Sequence, residues 1–237
     1  MLSVVSCSKK KKDEETGEAL AKFSTMLATS VPNSSETVVT HIINESVIEN
    51  TFGVITGTVI DPVTGESKKA AVYTSSVSTL GKVEDRKLDL YRVKEENNWY
   101  LEGSGTSSNK GIDWNPDGKD FSPVAGSLAM NLKESYIKTQ TYTKNGSIET
   151  LKLTMDADKA TMALANFLDA NQNIKYDVTV IITAAAERIS SIVIKYVIPE
   201  HDSGTEESPV SFDDVEITIE ANYSYKTDTG DIPITLG

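Results

Sequence analysis

The chain has 237 residues, with 35 acidic against 23 basic side chains, a formal net charge of −12, two histidines and one cysteine. An acid excess of this size argues against nucleic-acid binding, because phosphates demand clustered Lys and Arg. A single cysteine rules out an internal disulfide framework, and no apolar run is long enough for a membrane-crossing helix.

Residues 8–17 are a highly charged, low-complexity run that includes the tetralysine 9–12, a composition expected of a solvated, disordered tether. The predicted organisation is therefore a tether over residues 1–17 and one domain over 18–237. Residues 18–30 are predicted helical, because Ala19, Leu20, Phe23, Met26 and Leu27 recur at helical spacing. Val31-Pro32-Asn33 ends that helix, since the residue before proline is driven out of the α region. The period then changes to two. Residues 38–43 and 47–60, rich in Val, Ile and Thr, are predicted strands. The turn Asp61-Pro62-Val63-Thr64-Gly65 leads to a third strand over about 68–78, paired as a hairpin. A fourth strand is predicted over 87–94, and Glu96-Asn97-Asn98 turns the chain into Trp99-Tyr100-Leu101.

Residues 102–126 form the longest irregular segment, with Trp114 and Phe121 among Gly, Ser, Asn and Pro. Strands resume over 128–143, and Asn145-Gly146 is the strongest hairpin signal in the chain. Leu151, Leu153 and Met155 alternate on the return strand. Asp156 is a predicted helix N-cap, with Asp158 in the first turn. Ala160, Ala163, Leu164, Phe167 and Leu168 give that helix a buried face ending near Asn171. Strands follow over 174–183, 189–198 and 215–225. An acidic loop, 199–209, lies between the last two, and a short strand over 232–236 closes the chain. Connections this short are hairpins, not βαβ crossovers. The predicted class is α+β: a single, highly twisted antiparallel sheet, a half-barrel, with an N-terminal helix and one inserted central helix on one face.

Chemistry-bearing constellations are few. His41 falls in a strand, and His201 in the acidic run His201-Asp202-Ser203-Gly204. Sequence neighbours do not make a triad, whose members must converge in space. No HExxH, GxSxG, P-loop or Cys–His metal spacing is present, so the protein is expected not to be an enzyme and to need no cofactor. One segment, Asp113-Trp114-Asn115-Pro116-Asp117-Gly118, matches the first half of a calcium loop, with oxygen ligands at positions 1, 3 and 5 and glycine at 6. Asp113, Asn115 and Asp117 are thus the candidate calcium ligands. Position 12 is Val124 where a glutamate is expected, and Asn-Pro-Asp-Gly is also a strong turn sequence by itself.

At the N-terminus, Val4-Val5-Ser6-Cys7 resembles a bacterial lipobox. The resemblance implies cleavage before Cys7, a diacylglycerol on its thiol, and an extracytoplasmic domain anchored to the bacterial cell membrane. Only Met1 to Val5 precede Ser6-Cys7, short of the basic and apolar regions of a signal peptide. That points to a start placed too late or a shortened N-terminus. The tetralysine fits either anionic headgroups or a plain soluble spacer. Taken with the element order, the Trp99-Tyr100 strand end and the ending Tyr223-Ser224-Tyr225 before Gly230-Asp231-Ile232-Pro233-Ile234, the chain resembles the LolA/LppX-like lipoprotein-carrier superfamily. That resemblance implies an incomplete barrel whose cavity, between sheet and helices, takes an acyl chain or another apolar ligand. Phe23, Met26, Leu27, Met162 and Phe167 are the candidate lining residues, and the same stripes also suit a closed core. The competing expectation is a cell-surface protein–protein interaction module with no ligand cavity. A monomer is expected in either case.

Overall fold

The computed structural model describes residues 4–43, 45–60, 65, 67–79, 82–84, 89–95, 98–104, 112–113, 128–168, 173–205 and 208–225. Helix α1 runs from Val4 to Thr29, so it starts well before residue 18 and takes in the stretch expected to be a disordered tether. The sequence supplies a reason. Lys9, Lys10 and Lys11 each have an acid four positions on, at Asp13, Glu14 and Glu15, and opposite charges at that spacing support a helix. The charge run that suggested disorder is also a helix-forming pattern. Ser24, Thr25 and Thr29 return their hydroxyls to the carbonyls four residues back, at 2.9, 3.0 and 2.9 Å. The helix then stops just before Val31-Pro32.

The strands are β1 (Ser34–Ile43), β2 (Ser46–Ile60), β3 (Ser67–Thr79), β4 (Lys82–Glu84), β5 (Asp89–Glu95), β6 (Asn98–Ser104), β7 (Ile112–Asp113), β8 (Ile137–Asn145), β9 (Ile148–Met155), β10 (Val178–Ala185), β11 (Arg188–Ile198), β12 (His201–Thr205), β13 (Ser208–Phe212) and β14 (Val215–Ser224). Helix α2 is Ala157–Ala163. The chain is α+β, with an open antiparallel sheet, an N-terminal helix and one central helix, and the sheet is not closed into a barrel.

The chain divides into two compact units. The first comprises Met1–Ser30, Ile42–Glu45 and Ser127–Glu220; the second comprises Val31–His41, Ser46–Gly126 and Ala221–Gly237. In the first, the strand order is β14-β11-β10-β9-β8, and α1 lies against β8, β9 and β11. Period-two burial is strict here: Leu151, Leu153 and Met155 on β9 and Val178, Val180 and Ile182 on β10 are fully buried. On β11, Ile189, Ile192 and Ile194 are all buried although their parity changes. A bulge explains the change. Thr183 pairs with Ser191 and Ala184 with Ile189, which leaves Ser190 as the extra residue. Its hydroxyl donates to the Thr183 carbonyl at 3.2 Å, and Ile189 is returned to the core face.

Several element boundaries differ from the sequence expectation. Residues 128–133 are irregular and Glu134–Tyr136 is a single 3-10 turn, so the strand expected from 128 begins at Ile137. Helix α2 ends at Ala163, not near Asn171. The Ala163 carbonyl accepts from the Asn131 N–H at 2.9 Å, an outside partner for a helix-end carbonyl. Asp156 occupies the N-cap but makes no side-chain capping bond. Its carboxylate instead meets the Lys138 ammonium at 2.5 Å. The expected acidic loop over 199–209 holds β12 and the start of β13, which pair as a hairpin that runs on to Phe212. The strand predicted over 232–236 lies outside the described residues.

In the second unit the order is β7-β6-β5-β3-β2-β1, with β4 on β3. The hairpin of β2 and β3 pairs Ile48 with Thr79 through Ile60 with Ser67.

Candidate functional site

Two features stand out, one in each unit. In the first, Glu149 is the only buried charged residue among those described, at 8% exposure. It continues the odd-numbered series of Leu151, Leu153 and Met155 on β9, so the pleat carries its carboxylate to the core face. Lys22, one position before the fully buried Phe23 on α1, places its Nζ 2.8 and 2.7 Å from the two carboxylate oxygens. Lys144 donates to Oε1 at 3.1 Å, and the Tyr142 hydroxyl donates to Oε2 at 3.1 Å. Both come from β8, where Lys144 is the direct partner of Glu149. The Lys22 ammonium foremost, then Lys144 and Tyr142, hold the Glu149 carboxyl at about 2, against the opposing effect of burial. Burial first, and then the bond to Glu149, push the Tyr142 phenol up. The carboxylate spends its acceptor capacity on three donors, an arrangement that fastens α1 to the β8–β9 hairpin.

Strand parity was the signal for Glu149 in the sequence. For Lys22 there was none, because a pair separated by 127 positions is joined by the fold alone.

The expected cavity residues do not share one environment. Phe23, Met26 and Leu27 are packed in the core of the first unit, at 0%, 6% and 2% exposure. Met162 is 47% exposed on α2, and Phe167 is half-buried in the turn beyond it. Cys7 falls within α1. Asp113 ends the short strand β7, where it pairs with Tyr100, while Asn115 and Asp117 lie outside the described residues. Among the described residues, no group of three or more His, Cys, Asp or Glu side chains could hold a metal ion. His41 is half-buried on β1, and His201 pairs with Phe212 in the β12–β13 hairpin.

In the second unit, no residue from Ser34 to His41 on β1 or from Ser46 to Ile55 on β2 is buried. Val47, Phe52 and Ile55 on β2 are 44%, 51% and 51% exposed. By strand alternation Val47 and Ile55 share one face and Phe52 the other. Apolar side chains at this exposure leave hydrocarbon in contact with water.

No family model and no curated protein matches the sequence. Among solved structures, LprF from Mycobacterium bovis is 13% identical over 94% of this chain and 96% of its own, with a TM-score of 0.32. MucB in complex with MucA(peri) is 8% identical over 87% of this chain and 92% of its own, with a TM-score of 0.13. The MucA/MucB complex of Pseudomonas aeruginosa is 7% identical, also with a TM-score of 0.13. Likenesses this loose carry no argument about function.

Proposed function

We propose that the protein is a membrane-tethered extracytoplasmic lipoprotein, anchored through Cys7, that binds an acyl chain or another apolar ligand. The observation behind the reading is the contrast between the units. The first buries Phe23, Met26 and Leu27 together with the apolar rows of β9, β10 and β11. The second exposes Val47, Phe52 and Ile55 along β2, where no position from Ser46 to Ile55 is buried. Apolar area left in water is recovered by an apolar partner at about 25 cal/mol per Å². On this reading the ligand surface is β2.

The test is mass spectrometry of an organic extract of protein purified from its native membrane, beside a Phe52→Ser, Ile55→Ser variant. A lipid present in the first and depleted in the second is the expected result. Protein free of lipid in both rules out ligand binding.

The closed packing of Phe23, Met26 and Leu27 favours a second reading, a protein–protein module with no ligand cavity. It predicts lipid-free protein whose β2 variants lose a protein partner instead. Attachment is tested separately, by radiolabelled fatty-acid incorporation into wild type against Cys7→Ser.

A further inference from the structure

The backbone of α1 is helical through both charge blocks, the tetralysine 9–12 and the acids Asp13, Glu14 and Glu15. Four consecutive helical positions step by about 100° each and surround the axis. The lysine positions therefore form a ring, and the acid positions form most of a second ring one turn further from Cys7. This geometry separates two ways of meeting a membrane. A helix lying flat needs its cations on one face, whereas here Asp13, Glu14 and Glu15 share the faces of Lys9, Lys10 and Lys11 and would be pressed down with them. An upright helix separates the blocks by depth. At about 1.5 Å per residue, the lysines lie within roughly 8 Å of Cys7 along the axis, and the acids lie at roughly 9–12 Å. Ala19, the first buried position described on α1, is roughly 18 Å away. The four lysines and three acids nearly cancel, so the chain's net charge of −12 resides almost wholly beyond them. Along the helix axis, two screening lengths of about 8 Å each separate Ala19 from Cys7.

We infer that the tetralysine is a cationic collar by which α1 stands upright on an anionic lipid surface. The inference rests on Cys7 as the point of attachment. The collar gathers four charges where lipid phosphates are densest, and the helix acts as a stiff spacer.

The test couples one saturated alkyl chain to the thiol of Cys7, the sole cysteine, in the full-length chain. A single chain alone gives marginal, reversible membrane binding, so the collar's contribution is measurable. Partition is compared between phosphatidylcholine vesicles and vesicles containing phosphatidylglycerol. A preference for the anionic vesicles of up to about a thousandfold is expected from four lysines, and it collapses in added salt. The deciding variant exchanges the blocks at constant composition: Lys9→Asp, Lys10→Glu, Lys11→Glu, Asp13→Lys, Glu14→Lys and Glu15→Lys. It places the acids nearest the surface, so an upright helix loses the preference or reverses it. Circular dichroism checks that the helix persists. An unaltered preference in the exchanged variant, or no preference in the parent, overturns the inference. Because the chain is attached chemically, failure of fatty-acid labelling in cells refutes the anchor reading without touching this result.

Discussion

Lys22 and Glu149 stand 127 positions apart and meet at 2.7 Å, the helix reaching down to a carboxylate that the pleat of β9 has carried to the core face. The lysine side chain remains 41% exposed while the glutamate's is 10% exposed. The pair therefore joins a solvated cation to a largely buried anion. Removing the cation leaves the anion dependent on Lys144 and Tyr142 alone.

The first prediction is a pH dependence. Glu149 ionises at about 2 in the folded chain, below its ordinary value of 4.5. A depressed carboxyl contributes stability above its unfolded value, and the contribution is lost as pH falls from about 4.5 towards 2. Solvent screening at the exposed lysines limits it to roughly 1–2 kcal/mol. Urea unfolding of Glu149→Gln should show that loss at pH 7 and a flatter profile below pH 4.5. A profile parallel to wild type counts against the assignment.

A second prediction concerns the turn between β10 and β11. Ala185 pairs with Arg188, leaving Ala186 and Glu187 as the central residues at φ 49° and 62°. Two positive values are the pattern of a type I′ turn, which favours Asn-Gly. Left-handed backbone at residues with a Cβ costs roughly 1 kcal/mol each. Ala186→Asn with Glu187→Gly should stabilise the protein by about 1–2 kcal/mol, visible as a raised Tm. Glu187 also favours the charged form of Lys22, so Ala186→Asn alone separates turn relief from that lost charge.

Third, Phe23→Ala should destabilise by about 3–5 kcal/mol, because the ring is fully buried between α1 and the sheet. The measurement is the urea midpoint at constant m-value. A small effect would show a space able to collapse, or one already open to ligand.

Fourth, the two methionines Met155 and Met162 should part company. Met155 is fully buried and Met162 is 47% exposed. Met155→Ala is expected to cost about 2–5 kcal/mol, and Met162→Ala within about 0.5 kcal/mol of nothing. Thermal melts of the two variants decide it.

Strand parity and turn chemistry made much of the sheet legible. Leu151, Leu153 and Met155 alternate in sequence and are all fully buried. Gly146 takes φ 61° in the hairpin its sequence announces. The central pair is Gly146-Ser147, however, because Asn145 pairs with Ile148. A positive φ at Gly146 and not at Ser147 is the pattern of a type II′ turn, not the I′ turn favoured by Asn-Gly. The helical stripe of α1 was legible from Ala19 onward, and its start was not. A run of lysines followed by acids satisfies both the composition of a disordered tail and the i,i+4 spacing of a helix.

Short-range chemistry accordingly determined what the sequence could determine: period-two burial, the apolar face of α1, the turn glycine, and Cys7 as the single thiol. Each depends on residues within a few positions of one another. Tertiary structure alone decided that Lys22 closes on Glu149, that Phe23, Met26 and Leu27 seal a core, and that Ser190 bulges so that Ile189 and Ile192 can share a face. Those outcomes depend on which distant segment arrives opposite, a matter of strand order and helix placement on which local spacing has no hold.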